Sequence, residues 1–216
     1  MRLEPDNAYA WNDLGLAYEA LRQYNQAIHA YQEAIRLKPK DTSAWKNLGM
    51  VHNHLRQYDQ AMHALQEAIR LKPEDASAWG NLGLVYSDLH QYDQAIHAHQ
   101  EAIRLRPEDT DAWSGLGTAY SSLRQYDQAI RAYQEGIRLK PEDADAWYNL
   151  GTAYFYLHQY DQAVRAYQGA IRLKPQDALS WDGLGTAYRG LRQYDQAIQA
   201  PRGSSPSEAG LCRGLV

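Results

Sequence analysis

The chain has 216 residues, of which 44% are hydrophobic and 22% charged, and its formal net charge is −4. This length is enough for one ordinary domain or for a short array of small units, and the weakly acidic charge gives no general attraction to nucleic acid or to an anionic membrane. The single cysteine, Cys212, excludes an intramolecular disulfide, and because no run of 18 apolar residues occurs, the sequence predicts no transmembrane helix.

Six tryptophans recur at a constant spacing of 34 residues, at Trp11, Trp45, Trp79, Trp113, Trp147 and Trp181. With each tryptophan at position 4 of a unit, a numbering kept throughout, the full units are 8–41, 42–75, 76–109, 110–143 and 144–177, and a partial sixth unit runs from 178 to 200. A fixed period of this size is typical of an array of small structural repeats.

Each unit is predicted to form a pair of helices, as the fifth unit illustrates. In "AWYNLGTAYFYL" the apolar residues follow the three-four spacing of one helical face, and "YDQAVRAYQGAIRL" repeats that spacing. Only "HQ" separates the two segments, so the helices are expected to be antiparallel neighbours joined by a tight turn. Each helix should contain about 14 residues.

The boundaries of these helices carry their own signals. A proline at position 32 ends the second helix, and an aspartate at position 34 is expected to be the N-cap of the next first helix. The aspartate at position 18 is expected to place negative charge in the first turn of the second helix. A glycine at position 8 predicts a close approach of backbones, which we expect opposite the alanine at position 20.

The pattern W-x2-LG-x2-Y, followed by Ala at position 20, Tyr at 24, Ala at 27 and Pro at 32, resembles the tetratricopeptide repeat (TPR) family from Ala8 to Ala200. The resemblance implies an all-α fold, a right-handed superhelical solenoid of antiparallel helix pairs. It also implies that the first helices line a concave groove that binds peptides or partner proteins. No cofactor is implied.

The apolar pattern leaves positions 2, 5, 6, 9, 12 and 13 of the first helix unused, and we call these positions the groove face. The candidate peptide-binding residues on it are Asn12, Asp13, Lys46, Asn47, Asn81, Asp111, Ser114, Asp145, Tyr148, Asn149, Thr152 and Asp182. This surface is polar with acidic spots, which favours a neutral or mildly basic extended peptide.

The asparagines at position 6, namely Asn47, Asn81 and Asn149, have two interpretations. Amide side chains can donate to one backbone carbonyl and accept from one backbone N–H, so a spaced row of them can hold an extended chain, like the asparagine ladder of superhelical TPR arrays. The alternative is an ordinary solvated helix face. The lysine, asparagine and arginine positions with which other TPR modules clamp a terminal carboxylate are mostly unmatched here.

The eight histidines do not predict a metal site. His29, His63 and His97 share position 22 on the outer side of the second helix, and ligands a whole repeat apart cannot share one ion. His52 and His99 occupy positions where other units have tyrosine, which indicates core substitutions. Because no nucleophile–base pair, phosphate-binding loop or carboxylate pair is found, we do not expect an enzyme.

The ends of the sequence depart from the repeat. Residues 1–7 fit the end of a preceding repeat, and "PRGSSPSEAG" begins a tail, 201–216, that its composition predicts to be disordered or poorly packed. Neither end carries a polar capping helix, so self-association through uncapped ends is also allowed. The N-terminal segment lacks the apolar core of a signal peptide, and a cytoplasmic location is expected.

The sequence therefore predicts a protein–protein interaction scaffold that binds an extended peptide or partner segment in its groove. An alternative is that the repeats are the substrate-recruiting arm of a larger enzyme or signalling protein, of which this chain is a fragment. A third interpretation is a recently duplicated array without a settled partner, which the near-identity of the units allows.

Overall fold

A computed structural model describes residues 7–199, and every regular element within that range is an α-helix. The predicted all-α class is therefore confirmed. Residues 1–6 and the predicted tail, 201–216, lie outside the described residues. The twelve helices of the described range are α1 Ala8–Ala20, α2 Tyr24–Leu37, α3 Thr42–His54, α4 Tyr58–Leu71, α5 Ala76–Asp88, α6 Tyr92–Leu105, α7 Thr110–Ser122, α8 Tyr126–Leu139, α9 Ala144–Tyr156, α10 Tyr160–Leu173, α11 Ala178–Gly190 and α12 Tyr194–Gln199.

The chain divides into two compact units, Met1–Gly115 and Leu116–Val216, with the division inside α7. In the first unit α1 packs on α2, α3 on α4 and α5 on α6, and α3 also contacts the first helices on either side of it, α1 and α5. In the second unit α9 packs on α10, α8 and α11, and α11 packs on α12. Each unit therefore consists of stacked helix pairs. In the part of the chain described, no helix combines the length and hydrophobicity of a membrane span.

Aspartates at position 34 begin the first helices, as the sequence predicts. The Asp75 carboxylate accepts from the backbone N–H groups of Ser77 and Ala78 at 3.0 and 3.2 Å, and Asp109 accepts from that of Ala112 at 3.1 Å. These bonds satisfy N–H groups that the helix itself leaves without partners. The same capping occurs at Asp41, Asp143 and Asp177.

A left-handed residue closes the turn inside each helix pair. In the first pair the N–H of Arg22 donates to Glu19 O and that of Gln23 donates to Tyr18 O, both at 2.8 Å, which is the Schellman arrangement at a helix C-terminus. The left-handed residue is never glycine: Arg22, Arg56, His90, Arg124, His158 and Arg192 all have φ between 57° and 60°. Tight turns are thus formed, as predicted, with three residues between the helices of each pair and strained backbone at position 15.

The tryptophan at position 4 is bonded to the end of the preceding repeat. Trp79 Nε1 donates to Pro73 O at 3.0 Å, and Trp147 Nε1 donates to Pro141 O at 3.0 Å. The same bond is made by Trp45, Trp113 and Trp181. The proline that ends one repeat therefore also supplies the acceptor for the aromatic residue that begins the next.

The side chain at position 24 packs against the glycine of position 8, and in the second repeat the backbone at position 20 also lies close, since a Cβ on Gly49 would be 3.2 Å from Ala61 O. A Cβ placed on Gly151 would lie 2.8 Å from Tyr167 Cδ1, and one on Gly117 would lie 2.6 Å from Tyr133 Cε1. Both tyrosines are at most 3% exposed. The ring therefore fills the space beside the glycine and leaves no room for a side chain there.

We expect Arg56→Gly to stabilise the protein by about 0.5–1 kcal/mol, because glycine adopts the left-handed conformation without the steric penalty of a side chain. Arg56 is exposed and has φ 58°, so no packing is lost. Thermal or urea unfolding measures the change. Gln66→Gly, at an exposed site inside α4, is the control and should destabilise by about 1 kcal/mol. An equal loss of stability in both variants would contradict the prediction.

Candidate functional site

None of the predicted groove residues is buried in the core. The four aspartates, Asp13, Asp111, Asp145 and Asp182, are exposed. The remaining candidates are partly buried, namely Asn12, Lys46, Asn47, Asn81, Ser114, Tyr148, Asn149 and Thr152. The groove face therefore combines exposed carboxylates with partly buried amides, hydroxyls, one lysine and one tyrosine.

Polar side chains on neighbouring first helices of the first unit bond to one another. Asn47 Nδ2 on α3 donates to Asn12 Oδ1 on α1 at 3.1 Å, and Asn53 Nδ2 donates to Asp88 Oδ2 on α5 at 3.0 Å. In both bonds the partners are 35 residues apart, so each bond joins equivalent rows of adjacent repeats. These contacts orient the amides while leaving each amide further bonding capacity.

Lys46 is engaged within the protein. Its Nζ lies 2.8 Å from Asp75 Oδ2, and the two side chains are only 21% and 13% exposed. Burial raises the pKa of the Asp75 carboxyl, but the Lys46 ammonium and the capping N–H groups outweigh it and hold that pKa below its usual range. Lys46 thus neutralises the cap of α5, and it leaves no free cation at this point of the groove face.

A cavity of about 580 Å³ opens beside α5 in the first unit, and we call it the His99 cavity. Its walls include four groove-face residues of one repeat together with the start of α7, and His99 and Arg106 of the second helix side complete it. The lining consists of Ser77, Gly80, Asn81, Leu84, His99, Arg106, Glu108, Asp109, Thr110, Asp111 and Ala112. Of the predicted residues, Asn81 and Asp111 are brought together here.

Arg106 is fixed at the edge of this cavity. One guanidinium nitrogen donates to Ser77 Oγ at 2.8 Å and lies 3.0 Å from Asp109 Oδ2. Its Nε is buried and has no hydrogen-bond partner among residues 7–199. The Asp109 carboxylate therefore compensates the charge of Arg106, whereas one N–H group of Arg106 stays unsatisfied.

His99 is the most unusual group in the cavity. It is 1% exposed, and neither of its ring nitrogens has a hydrogen-bond partner within the described residues. Burial lowers the pKa of His99 to about 4, and the nearby Asp109 carboxylate only partly opposes that shift. The imidazole is therefore neutral at pH 7.

In the second unit three predicted residues are tied to neighbours. Asp145 Oδ1 lies 2.8 Å from Lys174 Nζ, and the Tyr148 ring packs 5.8 Å from that of Tyr167. Thr152 Oγ1 donates to Tyr148 O at 3.1 Å and lies 3.2 Å from Tyr167 Oη. No bond is found that unites Asn149 and Asp182 with this group in the described part of the chain.

Sequence reasoning placed His52 and His99 in the core, and the structure confirms both. It did not find that His99 faces a cavity, nor that Arg106 lies at its edge. Three departures from the repeat pattern could have indicated this site. They are the histidine at position 24, the leucine in place of threonine at position 9, and the glycine in place of asparagine at position 6 of the following repeat.

The histidines at position 22 are exposed, as predicted, and they pack on tryptophan. The rings of His29, His63 and His97 lie 5.9–6.0 Å from those of Trp11, Trp45 and Trp79, edge to face. Such pairs add to packing beyond the area that they bury. Among residues 7–199 no three His, Cys, Asp or Glu side chains are grouped as a metal ion would require.

Three family models match the sequence. The tetratricopeptide repeat model matches residues 8–41 and 144–177, and a second TPR repeat model matches 119–158. The model of the TPR domain of cytochrome c-type biogenesis protein H matches 38–135, so the matches together extend from residue 8 to residue 177. The chain belongs to the tetratricopeptide repeat family. No curated protein matches the sequence significantly.

Solved structures of TPR proteins share this fold. The crystal structure of MamA matches with a TM-score of 0.72 and 25% sequence identity, and the match covers 81% of this chain and 96% of the MamA chain. YrrB, described as a TPR protein with an unusual peptide-binding site, is 24% identical with a TM-score of 0.67 over 82% of this chain and 91% of its own. PilF of Pseudomonas aeruginosa is 19% identical with a TM-score of 0.80, covering 96% and 93%.

Buried neutral His99 predicts a specific loss of stability in acid. Its pKa is about 4 in the folded protein and 6.5 in the unfolded chain, so the unfolded state binds the proton more tightly. The contribution of neutral His99 to the free energy of unfolding is complete above pH 6.5 and is lost as the pH falls towards 4. Between these values wild type should lose up to about 3 kcal/mol more than His99→Phe. Denaturant unfolding at both pH values measures this difference, and equal losses would refute it.

Proposed function

We propose that this TPR protein is a protein–protein interaction scaffold whose groove face binds an extended peptide segment of a partner. The observation that carries the proposal is the His99 cavity, because groove-face residues of one repeat and the start of the next first helix together form a concave polar site. Concave sites with a few oriented polar groups are the usual locations of ligand binding.

The amides on the groove face support binding to a peptide main chain. Asn47 is oriented by its bond to Asn12, and Asn81 lies half-buried in the wall of the cavity. An extended peptide presents a carbonyl and an N–H at regular intervals, and an amide side chain can pair with both. Such contacts hold a chain without selecting its side chains.

The charge of the groove face supports a neutral or basic peptide. Asp13, Asp88 and Asp111 are exposed on the first helices of the first unit. The cation among the candidates there, Lys46, is paired with Asp75. Complementary charge favours association and suppresses acidic partners.

The alternative function, recruitment of substrate for a larger enzyme or signalling protein, would use the same groove face. The genomic sequence on either side of the coding region distinguishes the two, since the alternative requires a linked catalytic domain. We propose no catalysis by these repeats themselves. The cytoplasmic location and self-association through the ends stay predictions from the sequence, and sedimentation analysis checks the second.

The test uses peptides selected by the wild-type protein from a random display library. We expect Asn47→Ala/Asn81→Ala/Asn149→Ala to weaken their binding at least about tenfold, because each amide provides hydrogen bonds of about 1 kcal/mol in the complex. Isothermal titration calorimetry gives the affinities, and circular dichroism verifies that helix content is unchanged.

The matched control is Gln26→Ala/Gln94→Ala/Gln128→Ala, which removes three exposed amides at position 19 of the second helices. It should bind the selected peptides as wild type does. Undiminished binding by the asparagine variant, or an equal loss in the control, would show that the groove face is not the site.

A further inference from the structure

His99 differs from the side chains at the same position of the other repeats in the hydrogen bonds that it makes. Position 24 holds Tyr31, Leu65, His99, Tyr133 and Tyr167 in the five full units. The tyrosine hydroxyls all have partners: that of Tyr31 donates to Glu19 at 3.0 Å, and those of Tyr133 and Tyr167 lie 3.2 Å from the hydroxyls of the position-9 threonines. Leu65 needs none. Among these described side chains, only His99 has buried polar atoms without a partner.

The fifth unit shows what the third unit lacks. Tyr167 lies between Gly151 and Gly183, and its hydroxyl reaches Thr152. His99 lies between the equivalent glycines, Gly83 and Gly115, but the residue equivalent to Thr152 is Leu84. The shorter histidine has no hydroxyl that could reach position 9, and the leucine there offers no hydrogen bond.

The nitrogen-bearing edge of the His99 ring faces these two glycines. A Cβ on Gly83 would lie 2.8 Å from both Nδ1 and Nε2, and one on Gly115 would lie 2.5 Å from Nε2. Cε1 is the ring atom nearest to both positions, so this edge of the ring packs against α5 and α7, and His99 is also one of the residues that line the cavity. As a neutral imidazole, His99 presents one nitrogen lone pair that can accept a hydrogen bond.

The charges around the cavity favour a cationic ligand. Three carboxylates line it, those of Glu108, Asp109 and Asp111, against the single guanidinium of Arg106. Asp109 pairs with Arg106, and Glu108 and Asp111 are exposed at the rim. The uncompensated charge of the lining is therefore negative, which attracts a cation and repels a carboxylate.

We propose that the His99 cavity is a specificity pocket for an arginine or lysine side chain of the bound peptide, an inference that rests on the groove function proposed above. The cationic head donates to His99 and lies among the rim carboxylates, while its methylene stem packs on Leu84, which is 44% exposed. The unsatisfied Nε of Arg106 donates to a main-chain carbonyl of the same peptide. Long basic side chains commonly bury an apolar stem in this way.

The pocket is tested with single blocked amino acids, so that the outcome does not depend on the rest of the groove. N-acetyl-arginine methylamide, N-acetyl-norleucine methylamide and N-acetyl-glutamate methylamide are titrated into protein labelled at histidine and at backbone nitrogen. We expect the arginine probe to cause saturable NMR shifts of the His99 ring and of the Gly80 and Ala112 amides. Absence of saturable shifts, or shifts as large with norleucine or glutamate, overturns the proposal.

A variant built from the chain's own repeats closes the pocket. His99→Tyr/Leu84→Thr gives the third unit the residue pair of the fifth, so it should fold and fill the space above position 24. The arginine probe should then lose at least about tenfold in affinity, read from the Gly80 and Ala112 amides. His63→Arg is the control, since arginine occurs at position 22 in the fourth and fifth units, and it should leave binding unchanged.

Two further results separate this inference from the groove function. Glu108→Gln/Asp111→Asn should lower the affinity for the arginine probe about two- to fivefold, and added salt should diminish this difference. If library peptides bind through the asparagines but the closed-pocket variant binds them and the arginine probe as wild type does, the pocket is refuted and the groove stands. If the probe binds but no library peptide does, the groove function fails and the cation site remains.

Discussion

The contact on which the structure depends is the one between the side chain at position 24 and the glycine at position 8. It joins the two helices of a repeat, as Tyr133 on Gly117 and Tyr167 on Gly151 show. A side chain on either glycine would overlap the ring, so the glycine is required, whereas position 24 also accepts leucine and histidine, as Leu65 and His99 show. Because cores are close-packed, such a pair constrains the separation of the helices across the whole repeat.

The same side chain also contacts the next repeat. It packs between glycines of two neighbouring first helices, as Tyr167 does between Gly151 and Gly183. A tyrosine there has a hydroxyl bonded to position 9, as Tyr167 does with Thr152. The ring nitrogens of His99 have no such partner among the described residues. If the proposed pocket binds a cation, a substitution in the core has created a site, and the third repeat differs from the others in function without differing in fold.

The helices could be predicted from the sequence because their signals are local. The position-34 aspartates, the prolines at 32 and the spacing of Trp147, Leu150 and Tyr154 specify where helices begin, end and face. The packing of the side chain at position 24 on the glycine at position 8 could not be predicted, because every repeat offers both an alanine and a larger side chain on the facing helix. How closely each of them approaches the glycine depends on helix rotation, a tertiary property.

The candidate site was predictable in outline only. The register places Asn81 and Asp111 on first helices, but nothing in the sequence says that Lys46 is neutralised by Asp75 rather than available to a ligand. The two residues are 29 positions apart in the sequence, so only the folded structure shows that their side chains meet. The unpaired nitrogens of His99 could not be predicted either. A missing hydrogen-bond partner can be recognised only when the positions of all neighbouring residues are known.

The bond from each tryptophan indole to the preceding proline carbonyl bears on how the repeats come apart. It anchors the last turn of one repeat to the first helix of the next, as in Trp79 to Pro73 and Trp147 to Pro141. In repeat proteins, stability is roughly a sum of intrinsic and nearest-neighbour terms, and this bond belongs to the second kind. Fraying of a repeat boundary therefore exposes an indole of the adjacent repeat, so the smallest cooperative opening within either compact unit extends beyond a single helix pair.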